Sequence, residues 1–283
     1  MRHLDGFAPL AGPYEGFIVD LWGVVHDGVR PYPGAVDCLA RLREAGKRVV
    51  LLSNAPRRSV PAQEAMRRMG IEDALYTDIL TSGEAVHRAL RQRPDAWWAA
   101  LGSRVFHLGP ERDLNVLEGL DLERVEDPAD AGFVLNTGPD DHRDPTDMAE
   151  FLPVLRDCAR ARLPMICANP DLEVIRDGKR VLCAGSLAVR YAELGGDVRS
   201  LGKPDPAIYV PVLATLGVTK ERVLAVGDAL RTDIQGAAAI GVDSCWVLGG
   251  LHLTALASDP LAADAAVRAA GLSPVACIPE FRW

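Results

Sequence analysis

The sequence has no uninterrupted apolar run of about 18 residues, the length that a membrane-spanning helix requires. Its opening stretch, MRHLDGFAPLAGPYEG, carries early charge and no continuous apolar segment, so no secretory leader is expected and the chain reads as cytoplasmic. A basic excess is also lacking. The 31 Lys+Arg stand against 39 Asp+Glu, a formal net charge of −8, which argues against general binding to nucleic acid or to an anionic membrane. The six cysteines (Cys38, Cys158, Cys167, Cys183, Cys245, Cys277) never approach CxxC spacing, which excludes the usual zinc cluster and a disulfide framework and leaves reduced, buried thiols as the expectation. There is no internal repeat, no low-complexity tract and no block of one charge sign.

What is present is a chain of 283 residues, 48% hydrophobic and 25% charged, enough for one large or two ordinary domains with a full core. Apolar runs of four to six residues alternate with segments of helical periodicity, the pattern of βα units around a mainly parallel sheet. Strands are expected over 17–21, 49–52, 223–226 and 244–248. Helices are expected over 34–45, 60–69, 206–216 and 234–240, ending at Gly46, Gly70, Gly217 and Gly241. Between these ends lie strands expected over 105–108, 133–135 and 165–167, a helix over 147–160, and two short runs, 172–175 and 180–182, joined by the hairpin signal Asp177–Gly178. The reading is an α/β protein with a Rossmann-like core formed by 1–79 and 199–283 and an inserted α/β domain over 80–198.

Four short segments carry chemistry. Asp20 follows the apolar run Phe17-Ile-Val; it either begins a turn or stands at the carboxyl end of a parallel strand, where α/β proteins bind ligands. Gly227-Asp228 follows a second such run, with Asp233 five residues on, either as a helix cap or as a third site carboxylate. Asp20 and Asp228 together would make an all-oxygen site suited to a hard ion such as Mg²⁺. Ser53-Asn54 after a strand can offer a hydroxyl and amides to a phosphate, and Lys203 between Gly202 and Pro204 can supply a compact positive charge. Taken singly, Lys203 reads equally as a solvated surface charge, and Arg57–Arg58 as a solvated helix start.

In this order the motifs resemble the haloacid dehalogenase (HAD) superfamily of phosphohydrolases, with the insertion placed as in the class IIA branch that includes NagD-like and pyridoxal-phosphate-phosphatase-like proteins. The resemblance spans nearly the whole chain. It implies a HAD-like core bearing a cap domain, and a Mg²⁺-dependent phosphatase or phosphotransferase acting on a small phosphorylated metabolite through an aspartyl-phosphate intermediate. By the same resemblance Asp20 is the nucleophile, Ser53, the Asn54 amide and Lys203 hold the phosphoryl oxygens, Asp20, Asp228 and the Trp22 backbone carbonyl ligate Mg²⁺, and Asp233 is the supporting acid. In the cap, Asn169, Pro170 and Asp171 resemble a loop that helps select substrate.

One part departs from the pattern. The family's first motif is Asp-x-Asp, whose second Asp protonates the leaving oxygen and activates water; here that position is Trp22. Indole exchanges no proton near neutral pH, so an acid–base contribution of about 10²–10⁴-fold is expected to be missing unless His26 or Asp27 supplies it. His-Asp-Gly is equally good turn chemistry. The alternative to an enzyme is therefore a regulatory protein that holds a phosphorylated ligand or Mg²⁺ without turnover. The Trp97–Trp98 pair reads either as a contact surface for a homodimer or as ordinary packing.

Overall fold

Phe17, Ile18 and Val19 are at most 3% exposed, so the strand they form is covered on both faces, as a near-continuous apolar run in a parallel sheet demands. The structure is a computed structural model that describes residues 1–176, 179–249 and 259–283. In chain order its strands are β1 (Arg2–His3), β2 (Gly16–Val19), β3 (Arg48–Ser53), β4 (Asp78–Thr81), β5 (Arg104–Leu108), β6 (Glu123–Val125) and β7 (Phe133–Asn136). There follow β8 (Met165–Cys167), β9 (Glu173–Arg176), β10 (Lys179–Leu182), β11 (Val198–Ser200), β12 (Val223–Gly227), β13 (Asp243–Val247) and β14 (Ala276–Ile278). Seven of them form one sheet in the order β1-β14-β13-β12-β2-β3-β4, and every pairing from β1 through to β3 is parallel.

The chain divides into two compact units: Met1–Ser53, Ala62–Leu80 and Lys203–Trp283 in the first, Asn54–Pro61 and Thr81–Gly202 in the second. In the first, β12 and β3 flank β2, and the Asp20 amide continues the ladder by donating to the Val226 carbonyl at 2.9 Å. The carboxyl ends of these strands therefore deliver Asp20, Ser53 and Asp228 to one edge of the sheet. Phe7 packs edge-on against Phe17 and Phe281, with centroids 5.6 and 5.0 Å away, on the face that helix Ala35–Glu44 covers. Helix Pro206–Leu216 begins where Asp205 accepts the Ala207 amide and ends at Gly217, as its sequence signals predict.

In the second unit β6-β5-β7-β8-β11 form a parallel sheet and β9 pairs antiparallel with β10. Asp177 and Gly178, the expected hairpin turn, lie outside the described residues. The helix expected over 147–160 starts as a 3₁₀ turn, Met148–Phe151, capped by Asp147, before the α-helix Leu152–Arg160. The division also differs from the sequence reading at two places. Residues 54–61 cluster with the second unit, and the expected boundary at 198/199 falls inside β11, which pairs with β8.

Contacts decide between the two readings of the Trp97–Trp98 pair and correct the expectation for Arg58. Trp98 is buried at 3% exposure, and Trp97 is pinned by an indole bond to Asp197 at 2.6 Å and by the Arg199 guanidinium 4.6 Å above its ring, so the pair is local packing and not an open patch. Arg58 is no solvated helix start either, since its guanidinium donates to the buried Glu84 carboxylate at 3.0 Å. All six cysteines are buried thiols, and burial pushes Cys277 up to about 11. No described helix is long and apolar enough to cross a membrane.

At the end of β5, His107 is buried with its Nε2 2.9 Å from the Thr137 hydroxyl, and desolvation lowers its pKa to about 4. A neutral buried imidazole is matched by an unfolded one that protonates near pH 6.5, so the unfolded state binds more protons between about pH 6.5 and 4 and stability falls as pH drops through that window. A loss of about 2 kcal/mol between pH 7 and pH 5 is expected from this group. Thermal or urea unfolding across that range checks it, and His107→Gln should flatten the profile; an equally steep profile in that variant would assign the effect elsewhere.

Candidate active site

Lys203 anchors the site. Its side chain is only 4% exposed, and Nζ donates to Asp20 Oδ1 at 2.6 Å and to the Leu52 carbonyl at 2.9 Å and lies 2.7 Å from Asp233 Oδ1. These are three acceptors for the three protons of an ammonium. A buried lysine held in this way is not a solvated surface charge, and breaking one partner of such a set is costly because it leaves the others buried and uncompensated.

Asp228 completes the cluster. Asp20, Asp228 and Asp233 are 8%, 2% and 5% exposed, and each offers a carboxylate oxygen within 4.8 Å of the others. Local geometry explains how three carboxylates come so close. The Trp246 indole donates to the Asp228 carbonyl at 2.8 Å and fixes the chain there. Gly23, at φ +85°, leaves the space that the Asp228 carboxylate occupies; a Cβ would overlap it, and the left-handed backbone independently favours glycine. Asp233 is not a helix cap. It lies within a π turn, Leu230–Ile234, that precedes helix Gln235–Ile240, and its Oδ2 accepts the Ala229 amide at 3.1 Å while Oδ1 faces Lys203. Such a turn projects a side chain that an uninterrupted α-helix would aim elsewhere.

In their ordinary ionised forms these four side chains carry three negative charges and one positive. Two buried negative charges in excess, all on oxygen donors, are the chemistry of a site for a hard divalent cation. The donor set therefore fits Mg²⁺, and the candidate ligands are Asp20 and Asp228. Tyr209, which sequence reasoning did not single out, is 1% exposed, and its phenol is pushed well above its ordinary range by burial. The Leu52 carbonyl and Gly23 were also missed. A backbone acceptor carries no signature in the side-chain alphabet, and nothing in the residues around Gly23 announces the Asp228 carboxylate for which it makes room.

The Trp22 segment forms a tight turn closed on the Leu21 carbonyl, which accepts the Val25 and His26 amides at 2.8 and 3.1 Å. The indole packs over Gly28 and meets the His26 ring edge-on, with centroids 6.2 Å apart. Asp27 Oδ1 accepts the Val29 and Arg30 amides, both at 2.8 Å, and these backbone bonds hold its carboxyl below the usual range. A carboxylate so committed is a poor proton donor at neutral pH. His26 Nδ1 accepts the Gly28 amide at 3.0 Å.

Ser53 ends β3 in the first unit at 6% exposure. Asn54, Asn169, Pro170 and Asp171 belong to the second. There Asn169 Oδ1 accepts the Asp171 amide at 3.0 Å, and the Asn54 side-chain amide donates to Asp171 Oδ1 at 2.9 Å.

A family model described as haloacid dehalogenase-like hydrolase matches residues 17–123, and a second, HAD-hydrolase-like, matches residues 200–271. The chain is 32% identical to chronophin of Rattus norvegicus over 253 residues, covering 85% of this chain and 78% of that protein. It is 30% identical to D-glycerol 3-phosphate phosphatase of Mycobacterium tuberculosis, over 86% of this chain and 65% of that one. A glycerol phosphate phosphatase from the same organism, solved in complex with magnesium, matches with a TM-score of 0.64 at 26% identity, over 87% of this chain and 73% of that one. A haloacid dehalogenase-like hydrolase from Brucella suis 1330 matches with a TM-score of 0.84 at 32% identity, over 98% and 99%.

Proposed function

The chain belongs to the haloacid dehalogenase-like hydrolases, in the class IIA branch, and is a phosphoric monoester hydrolase; from that premise we propose that it cleaves small organic phosphate monoesters through Asp20 in a Mg²⁺-dependent reaction. One observation carries the proposal: a buried lysine bonded to Asp20 and Asp233, with Asp228 beside them, at the carboxyl edge of the first unit's sheet. The phosphatase names of the relatives support a small phosphorylated metabolite as substrate.

In the proposed reaction a carboxylate oxygen of Asp20 forms a bond to phosphorus while the ester P–O bond breaks, and the leaving oxygen departs with the electron pair and takes up a proton. Water then attacks the phosphorus of the aspartyl-phosphate, releasing inorganic phosphate and restoring Asp20. Lys203 orients Asp20 through Oδ1 and offsets charge on the transferring phosphoryl group, whose three equatorial oxygens need fixed donors. Ser53 and the Asn54 amide supply further donors, and Asp233 holds Lys203 in place. Bound Mg²⁺, on Asp20, Asp228 and the Trp22 carbonyl, would supply Lewis-acid stabilisation of that charge. The mycobacterial relative, solved both with magnesium and with calcium, supports a divalent cation there.

Trp22 has no proton to give and Asp27 is committed to its turn, so turnover should depend steeply on the leaving group. Activated aryl phosphates need little protonation of the departing oxygen; alkyl phosphates need much. Steady-state hydrolysis of p-nitrophenyl phosphate is expected to require added Mg²⁺ and to be lost on chelation, with rates falling sharply through a series to glycerol phosphate. No aryl turnover above an enzyme-free blank at millimolar Mg²⁺ would overturn the proposal.

A further inference from the structure

The Asn54 side chain is 3% exposed and is met within the second unit by three separate segments. Its Nδ2 donates to Asp171 Oδ1 at 2.9 Å, and the Ser82 hydroxyl lies 3.4 Å from its Oδ1. Gly202, at φ +142°, leaves room for both: a Cβ there would overlap Asn54 Oδ1, Ser82 Oγ and Pro170 Cδ. Asp171 is itself rigidly placed. Its amide donates to Asn169 Oδ1 in an Asx turn, and its carbonyl accepts the Gly185 amide at 3.1 Å, where a Gly185 Cβ would overlap the Pro170 and Asp171 carbonyls. The chain around Asn54 is clamped too, with the Ala55 carbonyl accepting Gly83, the Arg57 carbonyl accepting Thr81 Oγ1, and the Arg58 amide donating to Asn115.

We infer that Asp171 is a positioning residue for the phosphate-binding loop: its carboxylate fixes the Asn54 side chain, and through it the orientation of the backbone amide that follows Ser53. This rests on the reading of Ser53 and Asn54 as phosphoryl donors. It assigns Asp171 a role different from touching the variable part of the substrate. A residue that reads the leaving group changes the discrimination between esters, whereas one that sets the amide acts on the phosphoryl group common to all of them.

Inorganic phosphate, which has no leaving group, separates the two roles. In the full-length protein with Mg²⁺, Asp171→Ala is expected to raise the inhibition constant of inorganic phosphate and the kcat/KM penalty on p-nitrophenyl phosphate and glycerol phosphate by one common factor. That factor should be about 10- to 100-fold, the size of a lost hydrogen bond to a charged group. Asp171→Asn keeps an oxygen acceptor at the same place and should restore most of it, which also guards against misfolding of the alanine variant. Asn54→Ala keeps its backbone amide and should reproduce the loss, and the double variant should lose no more than either single one. An unchanged inhibition constant for inorganic phosphate, a penalty that differs between the two esters, or additive losses in the double variant would each overturn the assignment. A wild-type protein that neither binds inorganic phosphate nor turns over aryl phosphate would instead sink the phosphatase reading on which it rests.

Discussion

Asp20→Asn is expected to lower kcat for p-nitrophenyl phosphate by on the order of 10⁴-fold or more, because a neutral amide cannot form the acyl-phosphate bond. The substitution is nearly isosteric, so the loss should not arise from unfolding. Lys203 keeps the Asp233 carboxylate at 2.7 Å and the Leu52 carbonyl at 2.9 Å, and an Asn oxygen can still accept the third proton. The buried cluster also changes from three carboxylates against one ammonium to two against one, which relieves like-charge repulsion while weakening the demand for a divalent ion. The unfolding midpoint without Mg²⁺ should therefore stay level or rise, and the stabilisation gained on adding Mg²⁺ should shrink. Persistence of turnover within about tenfold of wild type, measured on protein with an unchanged midpoint, would move the nucleophile elsewhere.

Trp22→Asp is expected to accelerate alkyl phosphate hydrolysis by about 10²–10⁴-fold while changing aryl phosphate hydrolysis little. The reason is local. The indole packs over Gly28 and against the His26 ring, in a turn whose backbone bonds run from the Leu21 carbonyl, so replacing the side chain leaves the turn's hydrogen bonds in place. A carboxyl at that position introduces an exchangeable proton that indole lacks. Trp22→Asn is the control: it removes the same ring and adds no acid, so it should produce no acceleration. Equal acceleration in both variants would show that bulk, not proton supply, limits the wild-type enzyme. No acceleration in either would show that another group already serves the leaving oxygen.

Much of the fold was legible because βα alternation writes itself into local periodicity. The apolar runs that became β2, β3 and β12, and the helices ending at Gly46, Gly70 and Gly217, were found to within one or two residues. The short strands β1 and β14 were not, since two or three residues carry no period and hold their places through pairing with each other and with β13. The helix expected over 234–240 was found to within one residue, but the π turn before it, which sets where Asp233 points, was not, because a π turn differs from an α-helix by where one side chain points and composition does not encode that. Residues 54–61 were assigned to the core because they directly follow a core strand, yet their hydrogen bonds run to Thr81, Gly83, Glu84 and Asn115.

Determined by the sequence alone were the order of the elements and the presence of acidic, hydroxyl and basic groups just past strand ends, because strand ends and side-chain type are local properties. Tertiary structure decided which groups meet. Lys203 and Asp20 are 183 positions apart and Asn54 and Asp171 are 117 apart, and no local pattern links either pair. Sheet order places β12, β2 and β3 side by side, and burial then requires the ammonium and the carboxylates to find each other, because a charge taken out of water must be paired. The same physics turned three aspartates, ambiguous one by one, into a cluster with two negative charges in excess. It also gave Asp171 a partner in the loop after Ser53, which a resemblance of motifs could not do.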